Sequence, residues 1–307
     1  MLATHGRYDY SAIKHRPAYR WPNGAGLAVY IALGIEEYAF GEGMTEDLLP
    51  GASRPDLVNT SWRDYGNRVG AFRLFDRFAA CGLRPAVLLN TAIYDHAPAV
   101  IDAAREADAE FVAHGLSNSH SLAGMNPREE AAYIRDVYER IAREEGAPPK
   151  GWSSPWLAHS PATIDLLAAQ GFKYVADFRM DDQPVWLNTE TGRLMAMPYA
   201  LELNDSSTII GRQASAREFA DMIIDEFDEM LASSADQPLV MSVVVHSFIS
   251  GQPFRLRALG RALEHIAAHS GDIWLTRPGD IASWIEDRGA GSHAADGRAA
   301  DRFRAPY

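Results

Sequence analysis

Residues 27–37 read LAVYIALGIEE, an unbroken run of apolar and small side chains delivered into two adjacent glutamates. This is the pattern of a strand with chemistry at its C-terminal end. Six further short apolar runs follow, at 85–89, 110–113, 173–176, 194–197, 239–245 and 273–275. Helical stretches lie between them. One spans 69–81 and stops at Gly82; another follows Asn126-Pro127, where Asn126 can cap and Pro127 suits the first turn. A third begins at Ser215, with Glu218 completing a capping box and Phe219, Ile223, Phe227 and Met230 on one face. Stretches 162–170 and 256–269 complete the set. Strands alternating with helices predict a parallel sheet, either open or closed into a barrel. No G-x-G-x-x-G follows the first strand and no P-loop occurs, which argues against a dinucleotide fold.

The placement seen at residues 27–37 recurs. PAVLL runs into Asn90, EFVA into His114, KYVA into Asp177 and LVMSVVV into His246. In a parallel barrel the C-terminal strand ends share one face, so these side chains should converge on one pocket. Successive strand residues alternate faces, so one of Glu36 and Glu37 should enter that pocket and the other lean toward its rim. A desolvated carboxylate there suits a general base toward water, and His246 suits a general acid or base. Arg68 offers a planar fork for a carbonyl or carboxylate, unless it pairs with Asp64. Trp156 and Trp186 are candidate walls for a flat ring, and Asn204 with Asp205 either closes the rim or forms an ordinary turn. The other histidines, His96 and His159 among them, read as surface or packing residues.

Composition narrows the partners. The 307 residues carry 29 basic and 41 acidic side chains, a formal charge of −12. No basic face for nucleic acid is visible, and an anionic membrane surface would repel the chain. A single cysteine, Cys81, excludes an intramolecular disulfide and any multi-thiolate metal site, and reads as a small buried core residue. The first residues show no signal-peptide pattern, and no apolar run nears the roughly 18 residues of a membrane span. The expectation is a cytoplasmic protein acting on a small molecule. Residues 1–287 read as one barrel domain with an N-terminal arm. Residues 288–307 read as a mobile or subunit-contacting tail, and 41–60 as a lid or subunit contact.

Several segments together resemble the polysaccharide deacetylase superfamily. They are Gly34-Ile35-Glu36-Glu37, His114-Gly115, Gly151-Trp152-Ser153-Ser154-Pro155-Trp156, Asp177, and the run from His246 to Arg255. Residues 61–76 (SWRDYGNRVGAFRLFD), 181–186 (DDQPVW) and 197–205 (MPYALELND) are more similar to its branch of cofactor-independent allantoinases and cyclic ureide or imide hydrolases. The likeness covers roughly residues 10–287 and implies an α/β fold, a distorted (β/α) barrel with about seven strands. It also implies a homo-oligomer.

In deacetylases the first motif supplies a base and then a metal ligand, which correspond here to Glu36 and Glu37. The second motif supplies two metal-binding histidines, which correspond to His114 and Asn118. An amide in place of the second imidazole makes a poor zinc site, so no cofactor is favoured. If zinc binds, Glu37, His114 and His120 are its expected ligands. The motif-three arginine is replaced by Ser153. The expected activity is opening of a C–N bond in a small cyclic amide. Glu36 would activate water, His246 would protonate the leaving nitrogen, and Asp177 would orient His246. His114, Asn118 and amides near Gly115 would serve as oxyanion donors. The alternatives are a metal-dependent deacetylase of an N-acetylated sugar or small amide, and an inactive ligand-binding barrel.

Overall fold

The computed structural model describes residues 4–51 and 55–288; the expectation for the C-terminal tail therefore falls outside the described residues, apart from Arg288. Among these residues nine strands join one sheet. They are β1 (Leu27–Ile35), β2 (Ala86–Leu89), β3 (Glu110–Ala113), β4 (Gly151–Trp152) and β5 (Tyr174–Phe178). β6 (Val185–Leu187), β7 (Leu194–Pro198), β8 (Leu239–His246) and β9 (Trp274–Leu275) complete it. The order is β6-β7-β5-β4-β3-β2-β1-β8, with β9 on β1.

Every pairing is parallel except that of β6 with β7. The sheet thus has nine strands where about seven were expected; from β7 to β8 seven run parallel, and β7 and β8 share no ladder. The gap is bridged by an isolated pairing of Asn204 with Val244 and by Ala200 N–H donating to Ser242 Oγ at 2.8 Å. The barrel is therefore distorted, as expected. Two strands escape sequence reading. β4 has two residues and β6 three, too short to show a period.

Around the sheet lie α1 (Leu57–Tyr65), α2 (Ala71–Ala80), α3 (Ile93–His96), α4 (Pro98–Glu106) and α5 (Pro127–Glu145). They are followed by α6 (Thr163–Gln170), α7 (Ala216–Ser233), α8 (Pro253–Ala268) and α9 (Pro278–Asp287). The capping boxes at Asn126/Glu129 and Ser215/Glu218 both form. α7 buries Phe219, Ile223, Phe227 and Met230, the face its periodicity marks. β1 and β8 are buried along their whole length, because sheet neighbours flank them and helices cover them. Cys81 is not the core residue expected of it: it caps α2 half-buried, and burial pushes its thiol pKa up. No helix among the described residues is long and apolar enough to cross a membrane.

Candidate active site

The C-terminal ends of β1, β3 and β8 bring three side chains to one point. Glu36 Oε1 lies 3.3 Å from His246 Nε2 and 3.5 Å from His114 Nε2. Tyr38 donates its hydroxyl to the other oxygen, Oε2, at 2.6 Å. Strand alternation makes this possible: Glu36 points in, while Glu37 turns to the rim beside His96 (3.7 Å) and Asn67 (3.5 Å). β1 must pass close beneath the histidine. A Cβ on Gly34 would stand 2.6 Å from His246 Cδ2, so only glycine fits there.

His246 is oriented by Asp205. Asp205 Oδ1 lies 2.6 Å from His246 Nδ1, while Oδ2 accepts the His246 backbone N–H at 2.9 Å and the Ser250 hydroxyl at 2.5 Å. Asp177 does not take this part. Its Oδ2 lies 2.7 Å from His159 Nε2 and its Oδ1 accepts Ser154 N–H at 2.8 Å. β5 delivers Asp177 to the correct face, but five strand positions away from β8 along the sheet. Asp205 comes instead from the segment bridging β7 to β8, beside the Asn204–Val244 pairing.

The charges are set by these neighbours. Burial alone would raise the Glu36 pKa, but the His246 ring and hydrogen bonds to His114 and His246 hold it below the usual carboxylate range. Burial alone would lower the His246 pKa, but Glu36 and Asp205 on either side hold it well above the ordinary histidine value. Near neutral pH the pair is a carboxylate and an imidazolium. Burial and the adjacent Glu36 push the Tyr38 phenol up, so it remains a donor.

Other expected residues have different duties. His114 donates Nδ1–H to the Ser153 carbonyl at 2.8 Å, since a carbonyl can only accept, and this fixes the ring with Nε2 toward Glu36. Asn118 donates its backbone N–H to Glu37 O at 2.8 Å, its Oδ1 accepts from Asn90 at 3.2 Å, and its Nδ2 donates to the Tyr38 hydroxyl at 3.4 Å, beside Glu36. Leu116 N–H, near Gly115, is taken by the Tyr133 hydroxyl. Trp156 ties its indole N–H to Asn118 O at 2.6 Å from a left-handed backbone (φ 61°), a strained conformation for an aromatic residue. It stands beside the site as a loop tie. Trp186 lies on β6 under the Arg193 guanidinium, 4.0 Å from its ring centroid, not as a wall of the site. Asn204 accepts Ser206 N–H at 3.0 Å and forms the turn, one of the two duties expected of it. Arg68 is exposed and makes no ion pair with Asp64 among the described residues.

The buried arginine of this region is Arg63, stacked 5.0 Å from the Tyr38 ring and donating to Glu46 O at 2.7 Å. Glu46 was not visible in the sequence as a site residue. Ser206 Oγ donates to its carboxylate at 2.9–3.0 Å, beside Asp205. Burial pushes its pKa up; His246 pulls it down, and Glu36 and Asp205 push it up again. A loop glutamate in a polar stretch carries no sequence signal for such a role. His159 was likewise read as a packing residue, and only its contact with Asp177 distinguishes it.

The deacetylase metal set does not assemble. Glu37 faces His96 and Asn67, Asn118 is engaged by Asn90, and His120 is exposed with its Nδ1 at 2.9 Å from Ser117 Oγ. Among the described residues no group of three or more His, Cys, Asp or Glu is arranged to hold a metal ion. Glu37, His114 and His120 thus do not fit zinc.

No family model matches the chain. It is 24% identical over 298 residues to a provisionally named polysaccharide deacetylase of Schizosaccharomyces pombe, covering 85% of this chain and 91% of that protein. Its fold is similar to that of Puue allantoinase, with a TM-score of 0.81, 26% identity, and coverage of 92% and 95% of the two chains. It is also similar to a probable polysaccharide deacetylase of Pseudomonas aeruginosa PAO1, with a TM-score of 0.80, 24% identity, and coverage of 88% and 94%. The chain is thus similar, in sequence and in fold, to proteins named as polysaccharide deacetylases and to an allantoinase.

Proposed function

We propose that the protein is a hydrolase that opens a C–N bond of a small cyclic amide, an allantoin-like ureide or a cyclic imide, by acid–base activation of water. The observation that carries this reading is the Asp205–His246–Glu36 array, in which the base is ionised and the acid protonated before reaction. Glu36 takes a proton from water, whose oxygen attacks the ring carbonyl carbon. The C–N bond then breaks, and His246 Nε2–H delivers its proton to the leaving nitrogen. The products are a carboxylic acid and a nitrogen freed from the ring. Each transfer is worth roughly 10²–10⁴-fold.

The ion pair makes Glu36 a weak base while His246 stays protonated. As His246 gives up its proton Glu36 becomes more basic, so the two transfers are linked. The imidazolium supplies positive potential for the developing oxyanion, while the Tyr38 hydroxyl holds Glu36. A leaving nitrogen stabilised by a second carbonyl asks less of the catalyst than a simple amide, which suits a site without a zinc donor set. The likeness to an allantoinase at 26% identity supports the same substrate class. Glu46 adds an acceptor at the mouth for a ring N–H.

A second reading is favoured by the relatives' names: deacetylation of an N-acetylated sugar or small amide. The deciding experiment incubates chelator-treated protein with allantoin, hydantoins, succinimide-type imides and N-acetylglucosamine oligomers. Ring opening at full rate without added metal is the expected outcome. Acetate release that returns only with zinc would replace this reading with the second.

A further inference from the structure

The run from His246 ends at Arg255, a residue the catalytic array does not use. It opens onto a cleft of about 1100 Å³ between the starts of α7 and α8. On a chain of net charge −12, this cleft is lined by five arginines: Arg77, Arg217, Arg255, Arg257 and Arg261. Arg77 pairs with Glu264 at 2.7 Å and Arg261 with Asp221 at 3.2 Å, which neutralises one end. Arg217 and Arg257 are exposed, and neither meets a carboxylate among the described residues. Arg255 is half-buried, with a single long hydrogen bond to Ile249 O at 3.4 Å. Burial lowers its pKa against the pull of Asp205, the cost of holding a cation out of water without a counter-ion beside it. Beside it Phe254 stands 64% exposed, with the Arg255 guanidinium over its ring at 5.1 Å.

Three guanidiniums lining one concave surface, without a carboxylate partner among the described residues, match a ligand that brings several anionic oxygens. We propose that this cleft is a second ligand site, separate from the catalytic pocket, and that it binds a phosphate-bearing small molecule. Guanidinium forks meet phosphate oxygens in pairs, and three of them favour a multiply charged group over a single carboxylate. Free phosphate and a phosphorylated metabolite share this chemistry; the exposed Phe254 ring favours the latter when it carries a flat ring.

The test is calorimetric titration of the full-length protein with inorganic phosphate, ADP and acetate, at about 0.02 M and about 0.2 M ionic strength. Phosphate or ADP should bind with one site per chain, more tightly at low salt, with acetate at least about tenfold weaker. ADP tighter than phosphate, with the difference lost in Phe254→Ala, identifies a ring-bearing metabolite; equal affinities identify free phosphate. Arg217→Glu with Arg257→Glu, both exposed, should weaken binding at least about tenfold. It should leave the melting temperature and the ring-opening rate unchanged. Absence of binding at low salt, or binding indifferent to the double substitution, overturns the proposal. So does a wild-type protein that self-associates and is made monomeric by the same substitutions, since the cleft would then hold an acidic face of a second copy. Because binding is read directly, its failure is separate from any failure of the hydrolase reading.

Discussion

The molecule contains two aspartate–histidine pairs built almost alike. Asp205 holds His246 at 2.6 Å and also accepts a backbone N–H; Asp177 holds His159 at 2.7 Å and also accepts a backbone N–H. They differ in which ring nitrogen is consumed. Asp205 takes Nδ1 of His246 and leaves Nε2 facing Glu36, whereas Asp177 takes Nε2 of His159. Only the first arrangement passes the influence of an aspartate through the ring to a second group. The pair at Asp177 anchors the 153–160 loop. An Asp–His contact is therefore no evidence for catalysis by itself; what the far nitrogen meets decides.

The sharpest challenge to this contrast is Glu36→Gln, which removes the group that His246 faces. Turnover should fall about 10⁴-fold with folding retained, measured as kcat alongside the thermal midpoint. A rate near wild type would strip the Asp205–His246 pair of its distinction. Asp205→Asn should come next, lowering kcat about 10³-fold. It also tests the charge assignment. In the proposed mechanism, activity of the wild type needs Glu36 ionised and His246 protonated. The acid limb should lie below the usual carboxylate range, and the alkaline limb well above the ordinary histidine value of about 6.5. Without Asp205 the alkaline limb should move down; an unmoved limb assigns it to another group.

Glu46→Gln keeps the hydrogen-bonding shape of the mouth but loses its charge. KM should rise about tenfold with kcat changed less, and equal losses in both would place Glu46 in the chemistry instead. The smallest effect on rate is expected of Asp177→Asn, within about threefold, with a stability loss of about 1–3 kcal/mol. Here the sign is informative. The folded His159 pKa is raised: burial opposes this, but Asp177 and Glu130 prevail. Its contribution is fully present below the unfolded histidine value and fades as pH rises through the folded one. The deficit in melting temperature should therefore shrink toward alkaline pH. A kcat loss comparable to that of Asp205→Asn would erase the distinction between the pairs.

Much of the site was legible because strand ends announce themselves. Glu36, His114 and His246 each terminate an apolar run, and a parallel sheet carries such ends to one face. Arg68 misled for a local reason. It stands five residues after Arg63 in the same polar stretch, and a π-helical turn at Gly66–Gly70 leaves it outside while Arg63 is buried. Trp186 misled because a three-residue antiparallel strand shows no period by which to place it. Asp205 was noticed only as a rim or turn residue, because the segment after β7 has no repeating pattern to orient it.

The sequence by itself determined the parallel sheet, the two capping boxes, the buried face of α7 and the ionisable residues at the strand ends. These follow from periodicity and local hydrogen bonding, which act over a few residues. Only the tertiary structure decided which aspartate serves which histidine, that Glu37 faces the rim, that His114 turns Nε2 toward Glu36, and that Glu46 reaches the mouth. Those outcomes depend on strand order and on the closure between β7 and β8. They are set by contacts between residues as far apart as Asp205 and His246, or Glu36 and His246, which no local pattern records.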